Sequence, residues 1–511
     1  MDRRNIGVID IGSNSVHLVI GEYYNNEYFQ IIDDAKVNVR LSESLSETGF
    51  LQEDRMQYGL ETLMMYKSMC EAYGIEQVIA VATAAVRKAQ NGEEFIRLIK
   101  EKTGINVEII SGEKEASLDY LGTINTLDIK DALLMDIGGG SMEFVLIRNR
   151  QKIKVVSIPV GSFDLSEKFD LSDEVTGKKL KDVNAYLNEI FASVSIFEEA
   201  KGLPVIGVGG TIRNVGRIHR NLIDYPLEIA HNYRMNHKDV NRVCELASSM
   251  NYEQRMELKG LSKGRSDIFV GSSYALEFVM DYINAPELII SNAGIRDGII
   301  FEYFGYNEKN LVYDIFEMSL VDILLNYNVN IPHAYHVLKL TQTIFEQLKP
   351  LHNITEDVSK VLKASAMLHD SGIKIQFSNH HEHSFYIILN AGLRGIEQKD
   401  LLLSAFIALN HRTNKKIRIS EEYVGLLQGD EKKFIDKMSL FLQIAEYLDR
   451  SMDGVVKDLH CVIGEKTVEL NVLTTAHSVF DDMIVSECGK KFNRVFNKEL
   501  LVKNKVILAE R

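Results

Sequence analysis

The hexapeptide Asp10-Ile11-Gly12-Ser13-Asn14-Ser15 constrains this chain more than any other stretch. It closes an apolar run over residues 6–11, and such a run ending in Asp and small residues predicts a buried strand opening into a tight loop. Gly12 lets the loop turn, while Ser13, Asn14 and Ser15 bring the hydroxyl, amide and backbone N–H donors that hold phosphate oxygens. Asp10 only accepts hydrogen bonds when ionised, so its expected task is to hold a metal ion or water that offsets phosphate charge. By itself the stretch reads equally as a strand-end turn.

The pattern recurs. Asp136-Ile137-Gly138-Gly139-Gly140-Ser141 follows the apolar run 132–135 and precedes a strand-like run, 144–147. A third glycine loop, Gly207-Val208-Gly209-Gly210-Thr211, stands between a short apolar run and a helical stretch. Two Asp loops in matching surroundings predict an internal duplication, with two lobes clamping a phosphate chain across a cleft. Gly139 is expected to leave backbone N–H groups open to phosphate.

Composition narrows the partners. A length of 511 residues calls for three or four domains, and 45% hydrophobic with 25% charged residues is the balance of a soluble globular protein. A net charge of −14 argues against nucleic-acid binding, so a polyanionic substrate requires a locally basic channel. Cys70, Cys244, Cys461 and Cys488 are too dispersed for a zinc module or a disulfide framework. The first strand follows Met1 almost at once and no stretch is long enough to span a bilayer, so the expected location is cytoplasmic.

Along the chain, strands are predicted over 17–24 and 28–36 around the turn Asn25-Asn26-Glu27, then at 77–82 and 107–110, with helices over 52–73 and 91–102. The region from 132 begins the same way, with strands near Ala132, Phe144, Ile153, Pro204 and Leu288 and a helix over 179–197. Beyond residue 301 helical periodicity takes over at 312–326, 336–348, 358–369, 401–411 and 431–449. Alternation returns over 459–472 as a hairpin turning at Gly464-Glu465.

The two Asp loops, Thr83-Ala84-Ala85-Val86-Arg87, Ser111 to Ala116, Asp136 to Glu143, Gly207 to Thr211 and Arg265-Ser266-Asp267 together resemble the exopolyphosphatase and guanosine pentaphosphate phosphatase family. The resemblance implies an α/β fold of two actin-like (ASKHA, RNase H-like) lobes, followed by an all-α HD-like domain and a small α+β C-terminal unit. The corresponding boundaries are 1–125, 126–300, 301–456 and 457–511. It implies removal of a terminal phosphoryl group from inorganic polyphosphate, or from guanosine pentaphosphate in the stringent response, with Mg2+ as cofactor and a homodimer as an admitted assembly. It also implies that Glu115 orients the attacking water as general base, that Arg87 forks onto the terminal phosphate, and that Asp10, Asp136 and Glu143 hold the magnesium. Phosphate contacts then fall to Asp10, Gly12, Ser13, Asn14 and Ser15, to Gly138, Gly139, Gly140 and Ser141, and to Gly209, Gly210, Thr211 and Arg265, with Arg296 further out. Lys114 beside Glu115 is expected to lower its pKa, and the acids of this turn also suit a helix N-terminus as such. A small-molecule kinase on the same fold and a non-catalytic alarmone sensor are the competing readings.

The helical region carries a second pattern. His336, His369-Asp370, His380, His381, His383, His411 and Asp449 follow an order that resembles the HD superfamily of metal-dependent phosphohydrolases. The resemblance implies a divalent transition metal held by His336, His369, Asp370 and Asp449, with His411 and one of His380, His381 or His383 added. The plainer alternative has these histidines capping helices or filling the core.

Overall fold

The apolar run that ends at Asp10 is the central strand of the first of three sheets. The structure, a computed structural model, describes residues 3–24, 28–413, 416–427, 429–475 and 480–506. The turn expected at Asn25-Asn26-Glu27 lies outside them. The chain divides into two units, Met1–Tyr313 and Asp314–Arg511.

In the first unit, β1 (Arg3–Ile11), β2 (Val16–Tyr24), β3 (Tyr28–Val37), β4 (Gln77–Ala82) and β5 (Val107–Ile109) form one sheet in the order β3-β2-β1-β4-β5. The second sheet contains β6 (Ala132–Ile137), β7 (Met142–Arg148), β8 (Gln151–Ile158), β9 (Val205–Val208), β10 (Tyr233–Asn236) and β11 (Glu287–Ile290), ordered β10-β11-β9-β6-β7-β8. Read from β8, this order repeats the first sheet and adds β10 as an antiparallel edge strand. The duplication extends to register. Asp10 lies opposite His17 on β2 and Val81 on β4; Asp136 lies opposite Glu143 on β7 and Val208 on β9.

The first strand is apolar throughout because both of its faces are covered. Ile9 and Ile11 pack with Leu63, Tyr66 and Phe95, while Ile6 and Val8 pack with Leu118, Ile299 and Ile300. The residues of the second group reveal an exchange of helices. The helix Gly112–Ile124 leaves the first sheet and packs on β7 and β8, and the helix Ile295–Tyr303 leaves the second sheet and packs on β1. The two helices cross backbone to backbone. A Cβ at Gly298 would collide with the Leu118 carbonyl, and one at Gly122 would lie 2.9 Å from the Gly298 nitrogen. Gly298→Ala is therefore expected to cost about 1–3 kcal/mol in chemical denaturation, against little for Gly177→Ala, which faces open space. Equal midpoints for the two variants would contradict the close crossing.

The second unit is built from the helices Ile315–Asn326, Ile331–Gln347, Ser359–Leu368, His380–Asn390, Gln398–Asn410 and Gly429–Leu448. The hairpin β12 (Val456–Ile463) and β13 (Thr467–Thr474) follows, with β14 (Glu499–Val506) parallel to β13 beyond the helix Phe480–Phe496. The helix at His380 was not expected as one, and the helix expected over 179–197 ends at Ala192 before a separate turn, Ile196–Glu199. Among the described residues no helix is long and apolar enough to cross a membrane. All four cysteines are buried and free.

Candidate active site

Three loops meet at one cleft in the first unit. Gly12–Ser15 follows β1, Gly138–Ser141 follows β6, and Gly209 and Gly210 follow β9; together they line a space of about 820 Å³ including its open mouth. The first two loops are built alike: Gly12 N donates to Ser15 O at 3.1 Å, and Gly138 N donates to Ser141 O at 3.0 Å. They also touch. A Cβ at Gly139 would lie 2.5 Å from the Ser13 Cβ and 3.1 Å from the Phe163 ring. The glycine thus serves the approach of one loop to the other rather than that of phosphate alone, which corrects the expectation for this residue. Gly139→Val is expected to lower both thermal stability and substrate affinity; a variant that binds less but melts like wild type would restore the simpler reading. Gly209 has a positive φ of 94°, and a Cβ there would collide with the Asp136 carboxylate.

The helix exchange brings a carboxylate from one lobe to two from the other. Glu115, in the first turn of Gly112–Ile124, offers an oxygen within 4.8 Å of oxygens from Asp136 and Glu143. Glu143 is fully buried, with Oε1 accepting from Ser157 Oγ at 2.8 Å. Burial and Asp136 push Glu143 up to about 7. Burial and Glu143 raise Glu115 well above the usual carboxylate range, opposed by Arg87. Lys114 does not lower it as expected, because its side chain turns away to pair with Glu302. Asp136 Oδ1 and Glu143 Oε2 are buried without a hydrogen-bond partner. A convergent set of orphaned carboxylate oxygens fits a divalent cation.

Four of the expected site residues stand apart from the others. Asp10 lines the cleft but is not among the three carboxylates that converge within 4.8 Å. Burial raises Asp10 to about 6, with Arg296 lowering it and Asp136 raising it. Arg87 does not line the cleft; its Nη1 donates to the Ile110 carbonyl at 2.6 Å and to Glu115 Oε2 at 3.1 Å, so it holds Glu115. Gly140 and Thr211 also stay behind the surface. Gly140 packs near Ser13 and Ala84, and Thr211 Oγ1 donates to Ser272 Oγ at 3.0 Å.

The cleft is also lined by cations. Lys36, Arg213, Arg265 and Arg296 all line it. Burial together with Arg265 and Arg213 lowers Lys36 to about 8, and burial together with Arg213 lowers Arg265 to about 10. These cations crowd one another, which stabilises a site only when an anion sits among them. Sequence reasoning named Arg265 and Arg296 but missed Lys36 and Arg213. It also missed Asp119, one turn after Glu115 on the same helix face, 1% exposed, with both oxygens lacking a partner. The i,i+4 spacing of Glu115 and Asp119 was the available signal.

In the second unit the expected set regroups. His369 and Asp370 stand with His333 and Glu446, and Asp370 also stands with His380 and His411. His336 and Asp449 are outside both groups: His336 Nε2 donates to the Val456 carbonyl at 2.8 Å, and its Nδ1 faces Asp449 Oδ1 at 2.8 Å. His381 and His383 join neither group.

Known proteins resemble this chain in sequence and fold. Residues 19–307 match the Ppx/GppA phosphatase family, and residues 315–485 match Ppx/GppA phosphatase, domain III. A bifunctional 3-dehydroquinate synthase/phosphatase of Fusobacterium nucleatum is 30% identical over 306 residues, 58% of this chain and 46% of that protein. The chain thus spans about half the length of the curated relative it matches. A crystal structure of the Aquifex aeolicus Ppx/GppA family member aligns with a TM-score of 0.52 at 27% identity, covering 60% of this chain and 99% of that one. An exopolyphosphatase structure from Cytophaga hutchinsonii shares the fold, with a TM-score of 0.56 at 24% identity over 59% of this chain and 98% of that one. With the duplicated sheets, the paired Asp loops and a match over more than half its length, the chain belongs to the Ppx/GppA phosphatase family.

Proposed function

We propose that the cleft hydrolyses the terminal phosphoanhydride bond of a linear phosphate chain, releasing orthophosphate. Inorganic polyphosphate is the first choice of substrate and guanosine pentaphosphate the second, because both offer the same reacting end. The observation that carries this reading is a cleft lined both by cations, Lys36, Arg213, Arg265 and Arg296, and by carboxylates, Asp10, Glu115, Asp119 and Asp136. It is the locally basic channel that a chain of net charge −14 needs to take a polyanion.

In this reading the cations hold the phosphate chain, and the loops at Ser13 and Gly138 hold its last phosphoryl group with hydroxyl and backbone N–H donors. Glu115 orients a water in line with the terminal phosphorus and takes its proton as the water oxygen bonds to phosphorus. The anhydride P–O bond breaks, and its electron pair leaves on the oxygen kept by the shortened chain. Burial and Glu143 raise the Glu115 carboxyl well above the usual carboxylate range, which makes it a stronger base once ionised, and Arg87 fixes its orientation. Asp136 and Glu143 would hold the magnesium ion, which when bound offsets negative charge on the phosphates.

The test is phosphate release from polyphosphate and from guanosine pentaphosphate, at equal concentrations of chain ends, with and without ADP. Release without ADP is the expected result, and the faster substrate is assigned. Release only with ADP would make the protein a kinase, and binding without turnover would make it a sensor.

A further inference from the structure

The second unit holds a buried cluster that the phosphatase reading leaves unused. His333, His369, Asp370 and Glu446 each bring one nitrogen or oxygen within 4.8 Å of the others, and Asp370, His380 and His411 form a second such group. Asp370 belongs to both. The ligands come from five places in the fold. His333 lies on Ile331–Gln347, His369 and Asp370 follow Ser359–Leu368, His380 begins His380–Asn390, His411 follows Gln398–Asn410, and Glu446 lies on Gly429–Leu448.

The far side of each imidazole decides what its near side does. His369 Nδ1 donates to the Ala366 carbonyl at 2.7 Å, His380 Nδ1 to the Phe377 carbonyl at 3.0 Å, and His411 Nδ1 to the Ala408 carbonyl at 2.5 Å. A carbonyl oxygen only accepts, so each of these Nδ1 atoms carries a proton, and each ring turns its Nε2 inward. His333 Nδ1 is held in the same way by Asp449 Oδ2 at 2.8 Å. Carboxylates then face these nitrogens. His333 Nε2 and His369 Nε2 are each 3.1 Å from Glu446 Oε2, and His380 Nε2 is 3.1 Å from Asp370 Oδ1. Arg450 Nη1 takes Glu446 Oε1 at 2.8 Å, which leaves Oε2 turned to the cluster. A carboxylate buried against an imidazole nitrogen needs a cation between them, a proton on the nitrogen or a metal ion. In the second group no hydrogen bond meets the need: Asp370 Oδ1, His380 Nε2 and His411 Nε2 are all buried without one, and His411 is 0% exposed.

The spacings are those of metal ligands. Bonds of about 2.0–2.1 Å to a tetrahedral ion put its ligand atoms about 3.3–3.4 Å apart. Here the facing pairs span 3.1 Å to 3.7 Å, the longest being His333 Nε2 to Asp370 Oδ2. We infer that the second unit binds two divalent first-row transition ions bridged by the Asp370 carboxylate. His333, His369 and Glu446 complete the first ion's ligands, and His380 and His411 complete the second's. Four imidazole nitrogens select that class over magnesium or calcium, and Asp449 is the outer partner that orients His333. The two ions would tie together five helical segments.

The probe is Mn2+, loaded onto full-length protein that carries no histidine tag and has been stripped by a chelator. Wild type is expected to show the electron paramagnetic resonance of a spin-coupled manganese pair. His411→Ala, checked for folding by circular dichroism, is expected to lose the coupled signal and one bound ion per chain. The cleft contributes equally to both proteins and cancels in that difference. If only isolated Mn2+ spectra appear in wild type, or if folded His411→Ala binds as many ions as wild type, the cluster is a core of protonated histidines paired with carboxylates and the inference fails. His380→Gln serves the same comparison if His411→Ala does not fold, and the wild-type spectrum decides without either variant.

Discussion

Glu115→Gln is expected to lower kcat by at least about a hundredfold while KM stays within about threefold of wild type. The amide keeps the shape of the side chain and can still accept from Arg87 Nη1, which lies 3.1 Å from Oε2 in the wild type. What it loses is the capacity to take a proton from water. Because Glu115 is 7% exposed and its carboxyl is raised by burial and by Glu143, the removal of one charge from this cluster should not destabilise the fold. Thermal melting at or above the wild-type midpoint is therefore the accompanying result. A variant that retains a third of wild-type turnover would remove Glu115 from the role of base.

Arg213→Gln should act on the cations of the cleft and on the other kinetic constant. Loss of one charge-assisted contact to phosphate is worth about 1.5–3 kcal/mol, so KM should rise about tenfold to a hundredfold with kcat changed less than about threefold. Arg213 lines the cleft, and burial together with Arg296 holds its pKa down, so the residue is strained by its cationic neighbours until an anion arrives. An unchanged KM would show that the phosphate chain runs elsewhere.

The sequence made some of this site visible and hid the rest, for physical reasons. The Asp loops were legible because a buried central strand is a continuous apolar run and its exit needs small residues, both of which are local facts. The duplication was legible for the same reason, and the register of Asp10 and Asp136 repeats it. Lys36 and Arg213 were hidden because only packing turns them to the cleft, and no local pattern separates them from surface residues, whereas Asp119 had only its i,i+4 spacing from Glu115 to mark it. Lys114 misled because adjacent positions on a helix point in different directions, so the neighbour of Glu115 in sequence pairs with Glu302 instead. In the second unit two residues were missed by one helical turn each. His333 and His336 share a face of one helix, as do Glu446 and Asp449, and at a spacing of three residues periodicity alone does not say which side chain reaches inward. In both pairs the earlier residue joins the cluster, and His336 and Asp449 are paired with each other at 2.8 Å.

The central claim is that water, positioned by Glu115, attacks the last phosphorus of the chain. The direct measurement is turnover of polyphosphate in 18O-enriched water without ADP, with mass analysis of the phosphate released in a single turnover. The account predicts one 18O atom in each released phosphate at the wild-type rate, and loss of that release in Glu115→Gln. Phosphate that leaves without the label, or that leaves only when an acceptor is supplied, would contradict it.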